Sequence, residues 1–249
     1  MPETCIAKRP SGAETMSPDL PGAKKYFQWI VSELEPYLGK HILDIGSGHG
    51  IHLEYILPHH PCVTSIDLSL ESVQLLRQKF HIYPDFEARH ADFEQASELD
   101  SLVSLRFDTI VCLNVLEHLQ DDIAALKRMY EILRQQRGVV LLMVPAHQWL
   151  YGSMDRQAGH FRRYTSASLN SKLQHVGFEI LHLYHFNTFG VLPWFINNRI
   201  FKKELDGSGV GLQIKIFNTY IVPVIRRLEA RIKFPVGQSI ISVARVKND

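Results

Sequence analysis

The stretch HILDIGSGHG, residues 41–50, constrains this chain more than any other. A short apolar run ends in Asp44 and Ile45, and three alternating glycines, Gly46, Gly48 and Gly50, precede a helical pattern. The run is too short for a helix and reads as a strand entering a tight turn, where glycine allows left-handed backbone or close approach of a ligand. A helix leads into it, YFQWIVSELEPYL, beginning near Tyr26 and ending at Gly39.

The alternation then repeats. A helix over about Ile51–Leu57 is followed by strand CVTSID, helix LESVQLLRQKF, a short strand around DFEARH, strand FDTIVCLN, helix DDIAALKRMYEIL and strand GVVLLMV. Strands alternating with helices require crossovers and a mainly parallel sheet. The runs TIVCL and VVLLMV are apolar almost throughout, as strands are when helices cover both faces, so the predicted class is a doubly wound α/β fold. After Val144 a long polar and aromatic loop, PAHQWLYGSMDRQAGHFRRYT, precedes helix SASLNSKLQHVG and strand FEILHLYHF. Loops this long in compact domains usually serve function. Residues 189–236 read as two amphipathic helices around a DGSGVG hinge, a lid or insertion before the last strand, GQSIISVARVK. That strand is expected to be antiparallel, at the edge or inserted in the sheet. Residues 1–22 read as a flexible arm and 23–249 as a single domain.

With 249 residues, 45% of them hydrophobic, the chain can bury a core without staples. Twenty-seven Lys and Arg against 26 Asp and Glu leave a net charge of +1, so nucleic acid is not the expected partner. Cys5, Cys62 and Cys112 form no CxxC pair and are odd in number, which suits a reducing compartment. The N-terminus lacks an apolar leader and no uninterrupted apolar run of about 18 residues occurs, so a cytoplasmic location is expected.

Asp67 closes the second strand about twenty residues beyond the first glycine, where a carboxylate can accept the ribose hydroxyls of a nucleoside. A dinucleotide fingerprint needs a third glycine at the position Ile51 occupies, which weighs against a nicotinamide-dependent oxidoreductase. Asp44 before the GxGxG turn would repel a pyrophosphate but could hold water or an ammonium group. The pattern favours a nucleoside cofactor with an amino acid tail.

In these motifs, LDIGSGHG, SIDLS, HADF and FDTIVCLNVLEHLQD, the chain resembles the class I S-adenosylmethionine (SAM) methyltransferases, in order from His41 to Val144 and more loosely to Phe186. The resemblance implies a Rossmann-like seven-stranded sheet, mainly parallel with an antiparallel final strand. It implies that Asp44, Gly46, Ser47 and Gly48 surround the methionine portion of SAM and that Asp67, followed by Leu68, binds the ribose. Asp92 beside Phe93 would bind the adenine, and Asn114 would border the methyl group. The reaction implied is methyl transfer to a small-molecule or glycan- or lipid-linked acceptor, at oxygen. A non-catalytic SAM-binding module is the alternative.

In-line methyl transfer needs alignment above all, and a base only for a hydroxyl nucleophile. His160 is the first candidate base because an imidazole titrates near neutrality; His118 and Tyr151 are further catalytic candidates. His147, Arg162 and Arg163 are candidates for holding the acceptor, paired arginines being suited to phosphate or carboxylate. Alternatively, Arg162 and Arg163 pair with the body of the protein and organise the loop. Glu117 either lines the pocket or pairs with an arginine, while Asp121 and Asp122 favour the next helix's N-terminus. The GHFRRYT loop and the closing FPVGQSIISVAR resemble methyltransferases of bacterial glycan and lipid-linked sugar assembly. Trp194, Phe195, Ile196 and Phe201 beside Arg199, Lys202 and Lys203 suit peripheral membrane contact through 189–203, a lid, or a dimer contact. The 13 histidines are dispersed and no HxxE or CxxC spacing occurs, so no metal is expected.

Overall fold

The computed structural model describes residues 19–95, 100–202 and 210–247. Seven strands form one sheet in the order β3-β2-β1-β4-β5-β7-β6: β1 (Ile42–Ile45), β2 (Val63–Asp67), β3 (Phe86–His90), β4 (Thr109–Leu113), β5 (Val139–Pro145), β6 (Phe178–Phe186) and β7 (Ser239–Val246). Pairing is parallel from β3 through β5, and β7 runs antiparallel to both of its neighbours. The chain steps outward from β1 to β3 and then returns to β4 on the other side of β1. The crevice for a ligand therefore opens at the carboxyl ends of β1 and β4, where the order reverses.

The unbroken apolar strands are explained by two cores, one per sheet face. Val140, Leu142 and Val144 of β5 join Ile110 and Cys112 under α5 (Asp122–Arg134) and α7 (Ser166–Val176), which contribute Leu126, Met129, Leu169 and Leu173. The alternate residues Leu141 and Met143 join Val111 on the opposite face, under α1 (Lys24–Leu34) and α3 (Leu70–Lys79) with Trp29, Ile30, Val73 and Leu76. Side chains on successive strand residues point to opposite faces, so a strand covered on both has no polar positions.

The first helix begins at Lys24 and stops at Leu34, and Pro36 turns the chain into a 3₁₀ turn over Glu35–Tyr37. The helix after the glycine turn, α2 (Leu53–Ile56), is a single turn. Of the two positions expected for the last strand, β7 takes the interior one: SIISVA is buried throughout, and β6 forms the edge. α4 (Asp100–Val103) and α6 (Ser153–Gln157) are short.

Two helical runs fill the region before β7. α8 (Val191–Phe195) continues through a π turn at Ile196–Ile200, and α9 (Val210–Ile216) passes through a second π turn, Phe217–Ile221, into α10 (Val222–Glu229). Each π turn carries a buried asparagine, Asn198 and Asn218. Of the expected hinge, residues 206–209 lie outside the described residues and Gly211 falls within α9. Residues 1–18 of the expected arm likewise lie outside them, and Leu20–Gly22 form a 3₁₀ turn. Among the described residues, no helix is long and apolar enough to cross a membrane.

Candidate active site

The turn after β1 is built by Asp44 from beneath. Its carboxylate accepts hydrogen bonds from Ser47 Oγ and from His52 Nε2, the latter at 2.9 Å, and it is fully buried. Asp44 is thus spent on shaping the turn and is not on the cavity wall, unlike the cofactor contact the sequence led us to expect. Gly46 has φ +71°, and a Cβ there would strike the Val115 side chain at the exit of β4. Gly48, at φ +53°, points its N–H at Asp67 Oδ2, 2.8 Å away.

Asp67 Oδ1 accepts the Ser69 N–H at 2.8 Å. Burial pushes its carboxyl up from the usual value, against the pull of the Ser69 and Gly48 N–H groups. Each oxygen keeps a second lone pair, so both can still accept a hydroxyl. Gly46, Ser47, Gly48, Asp67, Leu68, Asp92, Phe93 and Asn114 all line one cavity of about 1030 Å³. Asp92 also accepts the Glu94 N–H at 3.0 Å, and Phe93 is buried in the core beneath.

Further along the same cavity stands a buried polar group. Glu117 lies in the 3₁₀ turn Leu116–His118 that follows β4, has no accessible surface, and neither carboxylate oxygen has a hydrogen-bond partner. Burial pushes its carboxyl up to about 7, although His160 and Arg163 pull the other way. His160 Nε2 is 3.9 Å from Glu117 Oε1, while its Nδ1 bonds Asp155 Oδ1 at 2.9 Å. The His118 ring meets that of His160 edge-on, centroids 4.6 Å apart. Burial and the neighbouring His160 lower His118 to about 3, so it is neutral near pH 7.

Asp155 anchors this group. Burial would raise its carboxyl, but the His160 hydrogen bond, the Arg163 charge and the Asn198 amide together hold it at about 2. Arg163 Nε donates to Asp155 Oδ1 at 2.7 Å and Nη1 to the Ala146 carbonyl at 3.0 Å. Asn198 fixes the loop from the helical region before β7: its Nδ2 donates to Leu150 O and Asp155 Oδ2, both at 2.7 Å, and its Oδ1 accepts the Met154 N–H at 2.8 Å.

Besides Asp44, three sequence candidates are not on the cavity wall. Arg162 donates to the carbonyls of Leu119 and Gln120 at 2.8 and 2.7 Å and pairs with Asp122 at 3.3 Å, clamping the loop to the exit of β4. The Tyr151 hydroxyl donates to the His160 carbonyl at 2.8 Å, which positions that residue without reaching the cavity. His147, at φ +61°, stacks on His185 with centroids 4.9 Å apart. His118, His160 and Arg163 do line the cavity, together with Glu117. Arg163 is tied to Asp155, so Glu117 keeps no arginine of its own. Asp121 caps α5 through the Ala124 N–H, whereas Asp122 bonds Tyr164, Lys172 and Arg162. Sequence reasoning missed His52 and Asn198, whose partners are set by turns rather than by spacing. The only signal for Asn198 was a polar pair inside the apolar run WFINNRIF.

At its far end the cavity is walled by the helical region before β7, with Leu192, Trp194, Phe201, Phe217 and Ile221. A nucleoside with an amino acid tail fits the opposite end: a turn at Gly46 that tolerates no side chain, a buried carboxylate at Asp67, and Asp92 beside an aromatic ring. Fold and site together define a class I SAM-dependent methyltransferase.

The methyltransferase-domain family model matches residues 23–183, and the chain belongs to that family. Curated relatives include a ubiquinone biosynthesis O-methyltransferase of Paracidovorax citrulli, 34% identical over 97 residues covering 37% of this chain and 38% of that protein. Another, from Haemophilus ducreyi, is 26% identical over 120 residues, 47% of this chain and 50% of its own length. The chain thus matches half or less of these relatives. Among solved structures, the N-methyltransferase NodS of Bradyrhizobium japonicum WM9 in complex with S-adenosylhomocysteine aligns with TM-score 0.55 and 14% identity, covering 93% of this chain and 89% of that one. A SAM-dependent methyltransferase of Archaeoglobus fulgidus aligns with TM-score 0.58 and 18% identity, covering 89% and 94%. At such identities these structures establish the shared fold.

Proposed function

We propose that this protein transfers a methyl group from SAM to a hydroxyl oxygen of an acceptor that carries a long apolar portion, such as a lipid-linked glycan or a lipid phenol. The observation that carries this reading is the single cavity joining the Gly46–Asp67–Asp92 wall to the Glu117–His118–His160 group and then to an apolar lid. When bound, SAM supplies an electrophilic methyl carbon: the acceptor oxygen bonds to it as the carbon–sulfur bond breaks, and that electron pair returns to sulfur. Gly46, Gly48 and Asp67 would hold the cofactor, with Asn114 at the exit of β4 bordering its methyl end.

The hydroxyl must lose its proton during transfer. His160 is suited to accept it at Nε2, because Asp155 on Nδ1 fixes ring orientation and steadies the imidazolium. Arg163, saturated by Asp155 and the Ala146 carbonyl, holds Asp155 in place. Oxygen as the target agrees with the names of the curated relatives. The lid's exposed Leu192, Phe201 and Tyr220, with Lys202 next to Phe201 in the chain, support delivery of the acceptor from a lipid surface, to which the lid would bind peripherally.

The test is transfer of labelled methyl from SAM to a panel of polyprenyl-linked sugars, lipid phenols and their chain-free analogues. Label in the lipid-bearing acceptors, stable to base, supports O-methylation of this class. Preference for chain-free amines or carboxylates contradicts it.

A further inference from the structure

Glu117, His118 and His160 each present one ligand-type atom, and all three atoms lie within 4.8 Å of one another. Donors sharing one ion at about 2.0–2.2 Å stand roughly 3–4 Å apart, so small side-chain adjustments bring the three onto a common centre. Three further observations point to a cation. Glu117 is fully buried, yet neither of its oxygens has a hydrogen-bond partner, His160 standing 3.9 Å away, and a buried carboxylate with no hydrogen bond is costly. The nearest guanidinium, Arg163, is already paired with Asp155 at 2.7 Å. Finally, His160 bonds the Asp155 carboxylate through Nδ1. This is the outer-shell arrangement that orients metal-binding imidazoles.

We propose that Glu117, His118 and His160 form a site for a divalent transition-metal cation, with its open coordination positions facing the cavity. Two imidazoles and one carboxylate suit Zn²⁺, Fe²⁺ or Mn²⁺ better than Mg²⁺, which prefers oxygen donors. This rests on the methyl-transfer reading, gives activation of the hydroxyl to the cation in place of His160, and revises the expectation that no metal is bound. The spacing search was blind to it because Glu117 and His118 are adjacent and the third donor comes from the distant GHFRRYT loop. In the loaded site, His160 Nε2 is a ligand. The acceptor hydroxyl would then bond to the cation through oxygen as its O–H bond breaks, the proton leaving to solvent water.

The full-length protein, stripped with EDTA, is titrated calorimetrically with ZnCl₂ and, separately, MgCl₂ and S-adenosylhomocysteine. Expected is one Zn²⁺ per chain, at least tenfold tighter than Mg²⁺, with at least tenfold weakening in Glu117→Gln and in His160→Asn. Absence of stoichiometric Zn²⁺ binding, or unchanged affinity in both variants, overturns the site. Should a variant fail to fold, anomalous diffraction from Zn²⁺-soaked wild-type crystals decides: a peak between Glu117, His118 and His160 supports the site, and peaks only elsewhere, or none, overturn it. S-adenosylhomocysteine binding without Zn²⁺ binding defeats the metal site alone, while the converse defeats only the cofactor assignment.

Discussion

The Asp67 carboxylate accepts the backbone N–H of Gly48 at 2.8 Å, so the group suited to bind ribose also holds the glycine turn closed. Cofactor affinity and turn geometry are therefore coupled. Asp67→Ala removes this bond, the one from Ser69, and the hydroxyl acceptor at once. Hydrogen bonds to charged groups contribute about 1.5–3 kcal/mol each, so S-adenosylhomocysteine affinity should fall at least about tenfold. Calorimetric titration checks this, with circular dichroism to confirm the fold.

Gly46 makes a sharper demand. Gly46→Val places a branched side chain at φ +71° against Val115. We expect about 2–4 kcal/mol of destabilisation in urea unfolding, from positive-φ strain together with overpacking. A loss within 0.5 kcal/mol would mean that the turn relaxes freely.

The Asp155 hub should be visible in acid. Its folded pKa of about 2 lies below the ordinary 3.8, so its contribution is fully present above pH 3.8 and is lost as pH falls through 2. The difference corresponds to about 2 kcal/mol. Asp155→Asn should therefore be less stable than wild type at pH 6, with the gap shrinking between pH 4 and pH 2. A gap independent of pH would place the carboxylate's role elsewhere.

His160 and Arg162 should separate. His160→Ala removes a cavity group and is expected to lower methyl transfer about 10²–10⁴-fold while leaving S-adenosylhomocysteine affinity within about twofold. Arg162→Ala removes two carbonyl bonds and the Asp122 pair outside the cavity. It should cost about 1–3 kcal/mol of stability and reduce transfer only through loop disorder. Equal stability of Arg162→Ala and wild type would return that residue to the acceptor side.

Much of this architecture was legible because it is periodic. The strand–helix alternation gave the parallel sheet, and the uninterrupted VVLLMV run foretold a strand covered on both faces, since Leu141 and Leu142 each need a core. The glycine turn and Asp67 were legible because strand exits gather ligand groups whatever the connecting loops do. The loop after β5 was harder. Sequence could name His160, Arg162 and Arg163 but not their directions, and adjacent arginines proved to point at different partners, Asp155 and Asp122. Nor could it show that Asn198 would bond Asp155 across 43 residues, which depends on a π turn turning that asparagine inward. Asp44 was read toward the cofactor because of its charge, and sequence could not show that His52, eight residues further on across the glycine turn, would bond it.

The account's central claim is that the crevice between β1 and β4 holds SAM. Calorimetric titration of the purified protein with S-adenosylhomocysteine, with NAD as the control ligand, tests it most directly. Stoichiometric binding of S-adenosylhomocysteine and none of NAD is expected. Binding of NAD, or of neither, would contradict it.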